Sequence, residues 1–391
     1  MMKKSLILIL ALAMTLSMIL TGCGEKQDDT DKPDTGTETP DTGTDTPDTG
    51  TDTGDNEDVL KVALLINGTL GDKSFFDSAD NGMKLAEQKF GDKVETKTIE
   101  MNYDPSKWLP TLQDVSDADW DIIIVGTWQM VEHLSEVALE YPDKKYVIFD
   151  SAVDYTADDY SNVYSINFKQ NEGAFIAGVL ASRVTTSGME RTNEDKKIGF
   201  LGGMDIPVIN DFLVGYIEGA QYADPDMKVA ISYIGGFEDS AKAKELCLAQ
   251  YNSGVDIGFN VAGQAGLGQL DAAKEVDKYA IGVDSDQVAL FPDDQEKAKL
   301  ILTSVLKRVD QALLRSIEMH MEGTTPYGKE EILGFKEKAI GFVEGNPLVP
   351  ADLLTELKDI EAKIINGDIK VTTAMGLDTD ALNEIRNKVK P

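Results

Sequence analysis

Residues 62–66 read Val62-Ala63-Leu64-Leu65-Ile66, and Asn67 and Gly68 follow at once. Five consecutive apolar residues stopped by Asn-Gly have the length of a strand buried on both faces, too short for a helix or a membrane span. The next periodic stretch, residues 77–90, repeats its apolar positions at helical spacing. This pair of patterns recurs down the chain. Apolar runs of strand length stand at residues 122–125, 146–149, 198–201, 229–234, 257–261, 279–283 and 301–305. Helical patterns fill most of the gaps, at 130–140, 171–183, 208–223, 240–253 and 267–276. Continuous apolar strands alternating with helices predict βαβ units and an α/β fold with parallel sheets. The number of strands suits two sheets.

The polar segment 188–197 opens with Gly188 and is expected to pass from one lobe to the other. The segments 333–343 and 351–365 are expected to complete the second lobe. In this reading lobe 1 spans about 59–190 plus 306–325, and lobe 2 about 195–303 plus 331–391.

The chain has 391 residues and a formal charge of −32, which argues against a nucleic-acid polymer as partner, since that needs a basic footprint. It argues equally against docking on anionic head groups. Its 2 histidines and 2 cysteines leave no zinc pattern, and neither a Gly-x-Ser-x-Gly elbow nor a Walker A loop is present. No metal and no cofactor are expected. Cys247 falls in a helical pattern and reads as a small core residue.

At the start of the chain, Lys3 and Lys4 precede an almost unbroken apolar run, residues 5–20, and then Leu20-Thr21-Gly22-Cys23. A basic start, an apolar core and small residues before a cut predict a secretory signal peptide over 1–22. The Leu-Thr-Gly-Cys sequence resembles the bacterial lipobox, which implies a lipidated Cys23 at the mature N-terminus. Pro33-Asp34-Thr35-Gly36-Thr37-Glu38-Thr39 then recurs from Pro40 and from Pro47. A Thr/Asp/Pro/Gly tract without aliphatic or aromatic residues cannot bury surface against the entropy of ordering, so 23–58 reads as lipidated cysteine and disordered linker. A folded domain is left at 59–391.

In open parallel sheets ligands bind beyond the carboxyl ends of the strands. That rule selects Asn67, Gly126-Thr127-Trp128, Asp150, Gly203-Met204-Asp205, Gly236-Phe237, Gly263, Asp284-Ser285-Asp286 and Lys307-Arg308. Carboxylates accept bonds from hydroxyl groups and rings stack on flat faces, which suits a nucleoside-like or polyhydroxylated ligand. Aspartates at strand ends also cap helices, and that reading stands beside the first for Asp150 and Asp286.

The segment Gly68-Thr69-Leu70-Gly71-Asp72-Lys73-Ser74-Phe75 resembles the Gly-Asp-Lys-Ser-Phe signature of the basic membrane protein family. These are substrate-binding lipoproteins of ABC importers, purine-nucleoside receptors among them. Asn171-Glu172-Gly173-Ala174-Phe175, the run from Val255 to Gly263, Ile281-Gly282-Val283-Asp284-Ser285-Asp286-Gln287 and Thr303-Ser304-Val305-Leu306-Lys307-Arg308 match in the family's order. The resemblance covers 59–391. It implies two Rossmann-like lobes of periplasmic-binding-protein type I, hinged around a ligand cleft, in a monomer on the extracytoplasmic face of the cell membrane. Its partners would be a permease, an ATPase and a small molecule, with a purine nucleoside foremost.

By the same resemblance Phe75 and Phe237 sandwich a base, Asp284 binds ribose hydroxyls, and Lys307 stands beside it. Gly263 lays backbone against the ligand, Asp150 lies near the base, and Trp128 forms a wall. Asn67 and Asp72 complete the expected binding set. Two departures concern the end that reads the base edge. Ile66 stands where the family often has aspartate and Phe76 where it has asparagine, and Asn67 and Asp77 are expected to compensate. Asp72 and Ser74 are also expected to cap the helix that follows. A receptor that binds without chemistry is the leading expectation. The alternatives are a sugar, flavin or signalling ligand on the same fold, or a nucleoside or glycoside hydrolase using the clustered aspartates.

Overall fold

The computed structural model describes residues 59–391, so the expected signal peptide, the expected lipidation site Cys23 and the expected linker lie outside the described residues. The first sheet is built from β1 (Leu60–Ile66), β2 (Val94–Glu100), β3 (Ile122–Gly126), β4 (Lys145–Phe149) and β5 (Val163–Phe168). The second is built from β6 (Lys197–Gly202), β7 (Lys228–Tyr233), β8 (Ile257–Val261), β9 (Tyr279–Asp284) and β10 (Ile301–Lys307). Two late strands, β11 (Lys329–Leu333) and β12 (Ile340–Phe342), add one edge to each, giving orders β11-β5-β4-β3-β1-β2 and β12-β10-β9-β8-β6-β7. All neighbours pair in parallel except β10 and β12. Each sheet therefore repeats the order 2-1-3-4-5, whose topological switch point lies between its first and third strands.

Helices cover both faces: α1 (Phe75–Phe90), α2 (Pro105–Asp117), α3 (Val131–Glu140), α4 (Gln170–Thr185), α5 (Pro207–Ala223), α6 (Ser240–Asn252), α7 (Leu267–Val276), the short α8 (Gln295–Ala298), α9 (Val309–Met321), α10 (Ala351–Asn366) and α11 (Thr379–Lys388). The eight strands expected from the apolar runs are all present; seven have nearly all their side chains buried, while the edge strand β7 is mostly half-buried. Local chemistry sets the helix starts. Pro105 opens α2 and Asp104 accepts the Ser106 N–H at 3.2 Å, while Asp239 accepts the Lys242 N–H at 2.8 Å ahead of α6. Cys247 is buried in α6 with its thiol pushed up to about 12 by burial. Among the described residues no helix is long and apolar enough to cross a membrane.

The lobe boundaries differ from the sequence reading. The first passage is not 188–197: it lies between Phe168 at the end of β5 and Gln170 at the start of α4, because α4 packs on α5, β10 and β12 of the second sheet. Two further crossings run from Lys307 to α9, which packs on α1, and from β11 to β12. β11 belongs to the first sheet, although the sequence reading placed residues from 331 onward in the second lobe. The crossings are tied side by side, with Lys169 N–H to Leu333 O at 2.9 Å and Arg308 N–H to Ala339 O at 2.8 Å. α4 is buried almost all round. A Cβ at Gly215 would stand 2.2 Å from Asn171 O, and one at Gly219 2.0 Å from Phe175 O, so α5 can approach only with glycine there. The Asn171–Phe175 motif thus serves helix packing.

Candidate functional site

Strand ends of both lobes converge on one cavity with about 690 Å³ of empty volume. All nine expected ligand residues line it: Asn67, Asp72, Phe75, Trp128 and Asp150 from the first lobe, and Phe237, Gly263, Asp284 and Lys307 from the second. The placement follows from topology. Asn67 follows β1, Trp128 follows β3 and Asp150 follows β4, while Gly263 follows β8 and Asp284 and Lys307 end β9 and β10. Thr127, Asp150 and Asp284 hold φ of 72°, 63° and 64°, a left-handed conformation that is costly for residues with a Cβ and that clusters at functional sites. Gly263, at φ +54°, turns the chain where Phe237 packs 3.8 Å from its Cβ position.

The polar groups fall into three arrangements. Lys307 is only 2 % exposed, and its Nζ forms an ion pair with Asp150. The same ammonium lies 5.3 Å from the ring centre of Phe75, 5.2 Å from Phe168 and 5.6 Å from Phe212, a cage favourable to a cation. Burial pushes the Asp150 carboxyl up, with Lys307 opposing it. Asp150 is therefore an ion-pair partner, and Asp286 accepts the Val288 N–H at 3.1 Å within a turn; neither caps a helix.

The second arrangement crosses the cleft. Ser74 donates its hydroxyl to Asp284 Oδ2. Burial raises the Asp284 carboxyl to about 7, helped by Asp72 and Asp150 and opposed by Lys307 and Ser74. Nearby, Lys73 Nζ donates to Leu290 O at 3.0 Å and Gln287 Nε2 to Lys73 O at 3.3 Å, so the loop before α1 is fastened to the second lobe.

The third concerns the start of α1. Asp72 accepts from the N–H groups of Ser74 at 3.0 Å, Phe76 at 2.8 Å and Asp77 at 3.1 Å, and burial outweighs these bonds to raise its carboxyl. The expected cap is thus made by Asp72 alone, since the Ser74 hydroxyl goes to Asp284. Asp77 does not compensate at the base edge: its carboxylate accepts the N–H groups of Gly71 at 2.7 Å and Lys73 at 2.9 Å and stays out of the cavity. Asn67 is in the cavity, 2 % exposed. Its amide donates to Thr127 Oγ1 at 2.9 Å and Gln129 Oε1 at 3.1 Å, which leaves its buried oxygen free as an acceptor.

Several lining residues escape the strand-end rule. Tyr103 follows β2, a strand not expected because Val94-Glu95-Thr96-Lys97-Thr98 is too polar; burial pushes its phenol up, beside Asp72 and Glu238. Ile206, Ile209 and Phe212 come from the start of α5, where proximity to a strand end gives no signal. Trp128, 48 % exposed, presents its ring at the cavity. Among the described residues no group of His, Cys, Asp and Glu is placed to hold a metal ion.

Residues 59–374 match the Bmp family, described as PnrA-like substrate-binding proteins of ABC transporters. The chain belongs to that family. It is 34% identical to basic membrane protein A of Borreliella burgdorferi over 80% of this chain and 88% of that protein. It is 30% identical to a CD4+ T-cell-stimulating antigen of Listeria monocytogenes over 94% of this chain and 98% of that one. Among solved structures, an ABC transporter solute-binding protein from Aeropyrum pernix superposes with a TM-score of 0.74 at 27% identity, covering 84% of this chain and 97% of its own. The two-lobed, periplasmic-binding-protein type I architecture expected from the sequence is the one this solute-binding structure shares.

Proposed function

We propose that this Bmp-family protein is the extracytoplasmic, lipid-anchored receptor of an ABC importer and that it takes a purine nucleoside between its lobes. The observation that carries the reading is the pairing of Phe75 and Phe237, one from each lobe, as aromatic walls of a cavity that also holds buried Asp284. Rings on opposing lobes suit a flat base, and a buried carboxylate suits a vicinal diol, whose two hydroxyls it accepts as charge-assisted bonds. Lys307, held by Asp150, stands beside Asp284 and favours its ionised form. The free oxygen of Asn67 accepts an N–H of the base edge.

Binding is the whole activity in this reading, and the permease and ATPase move the ligand. The protein acts as a monomer, with acyl chains on Cys23 as its membrane attachment. Mass spectrometry of small molecules carried through native purification tests it. An intact purine nucleoside is expected. A sugar or a flavin keeps the receptor and replaces the ligand, while free base appearing on incubation with a nucleoside makes the protein a hydrolase.

A further inference from the structure

We propose that the cavity is a charge filter that admits neutral nucleosides and rejects their phosphorylated forms, because Asp72 fills the anion-binding end of α1 with the chain's own carboxylate. The inference rests on the nucleoside reading and concerns which form of the nucleoside enters.

A helix N-terminus at a cleft ordinarily attracts phosphate, since its free N–H groups point outward and the helix dipole favours negative charge. α1 begins at the cavity with Phe75, but the N–H groups of Ser74, Phe76 and Asp77 are all engaged by Asp72. A phosphate arriving there meets a carboxylate in its place. α5 also starts at the cavity; its first residue, Pro207, has no N–H, which leaves the N–H groups of Val208 and Ile209 as the helix end there, among apolar side chains.

The side chains give an anion no better partner. Among the described residues that line the cavity Lys307 is the sole cation, and it is already paired with Asp150 and caged by three rings. Asp72, Asp150 and Asp284 thus face one lysine. With Asp150 and Lys307 cancelling, the carboxyls of Asp72 and Asp284 set the sign of the lining. Asp284 also lines a second cavity, where Asp77, Asp80, Asp286 and Asp310 outnumber Lys84 and Arg308, and Lys84 is held on Asp80 at 2.5 Å.

The filter places the receptor in a reaction sequence. A nucleotide outside the cell becomes a ligand only after phosphomonoester hydrolysis. Water adds at phosphorus, the bond from phosphorus to the 5′ oxygen breaks, and that oxygen leaves protonated as the nucleoside hydroxyl beside inorganic phosphate. A hydrolase of that class must supply the substrate.

Calorimetry at pH 8 on ligand-free protein tests the filter with inosine, 5′-O-methylinosine and inosine 5′-monophosphate. The methyl ether fills space at the 5′ position without charge. It is expected to bind within about tenfold of inosine, and the monophosphate at least about a hundredfold more weakly than the ether. Asp72→Asn keeps a residue able to cap the helix and removes the charge, so the gap should narrow by about fivefold or more. A monophosphate that binds as tightly as the ether overturns the filter, and an ether as weak as the monophosphate replaces charge by bulk. A folded Asp72→Asn protein with the gap unchanged removes Asp72 from the role. The wild-type comparison decides by itself if the variant does not fold. Failure of inosine itself to bind defeats the nucleoside reading and this one with it.

Discussion

Ser74 of the first lobe and Asp284 of the second share a hydrogen bond although 210 positions separate them. The bond spans the cleft, so a carboxyl proposed to hold the ligand also holds the lobes together. Asp284 is raised to about 7 by burial, above the usual range for an unfolded aspartate. Its folded form therefore binds more protons than the unfolded chain between about pH 4 and 7, and by linkage this group's contribution to stability falls as pH rises through that window. The limiting slope is about 1.36 kcal/mol per pH unit for one group. Denaturant melts of ligand-free protein across pH 4–8 should show this component, and Asp284→Asn should remove it.

Ligand binding should move in the opposite direction. The proposed ribose clamp needs the ionised carboxylate, so nucleoside affinity is expected to rise up to about tenfold per pH unit below 7 and to level off above it. Calorimetry in buffers of different ionisation enthalpy should detect proton release on binding at pH 6 and none at pH 8. A flat affinity profile in the wild type removes Asp284 from the clamp.

Lys307 and Asp150 form a pair in which neither partner can be removed alone. Lys307→Met fills the ring cage but leaves a buried carboxylate without its cation, a change that costs about 3–5 kcal/mol. Lys307→Met with Asp150→Leu should recover most of that loss. Thermal unfolding of the two variants measures the difference, and equal melting temperatures for both would contradict the buried pair.

The α4–α5 contact leaves no room for a methyl group. Gly219→Ala places a Cβ against the Phe175 carbonyl, where only backbone movement relieves the overlap. A loss of at least about 1–3 kcal/mol is expected, as for other overpacked cores. A melting temperature unchanged from the wild type would show that the helices separate freely.

Much of the fold was legible because fully buried parallel strands advertise themselves as short apolar runs, as residues 62–66 do. The edge strand β2 did not, since Glu95 and Lys97 face solvent. β5 did not, since Val163-Tyr164-Ser165-Ile166-Asn167-Phe168 buries Ser165 through a bond with Tyr155 Oη at 2.8 Å. The lobe assignment was hidden for another reason. Nothing in Gln170–Thr185 says which sheet it covers, and the choice is made by its fit to the glycines of α5. The nine cleft residues were found because the strand-end rule and the family motifs select the same positions. Asp72 was legible both as a cleft residue and as a cap of α1; what stayed hidden is that it caps alone, because the Ser74 hydroxyl turns to Asp284 across the cleft.

The most direct measurement is a calorimetric titration of the refolded, ligand-free domain with inosine, guanosine and adenosine, set against uridine, hypoxanthine, riboflavin and glucose. A purine nucleoside should bind saturably at one site per chain, with the free base weaker by about ten- to hundredfold for want of a diol to meet Asp284. Tight binding of glucose or riboflavin with no heat from any nucleoside would contradict the account.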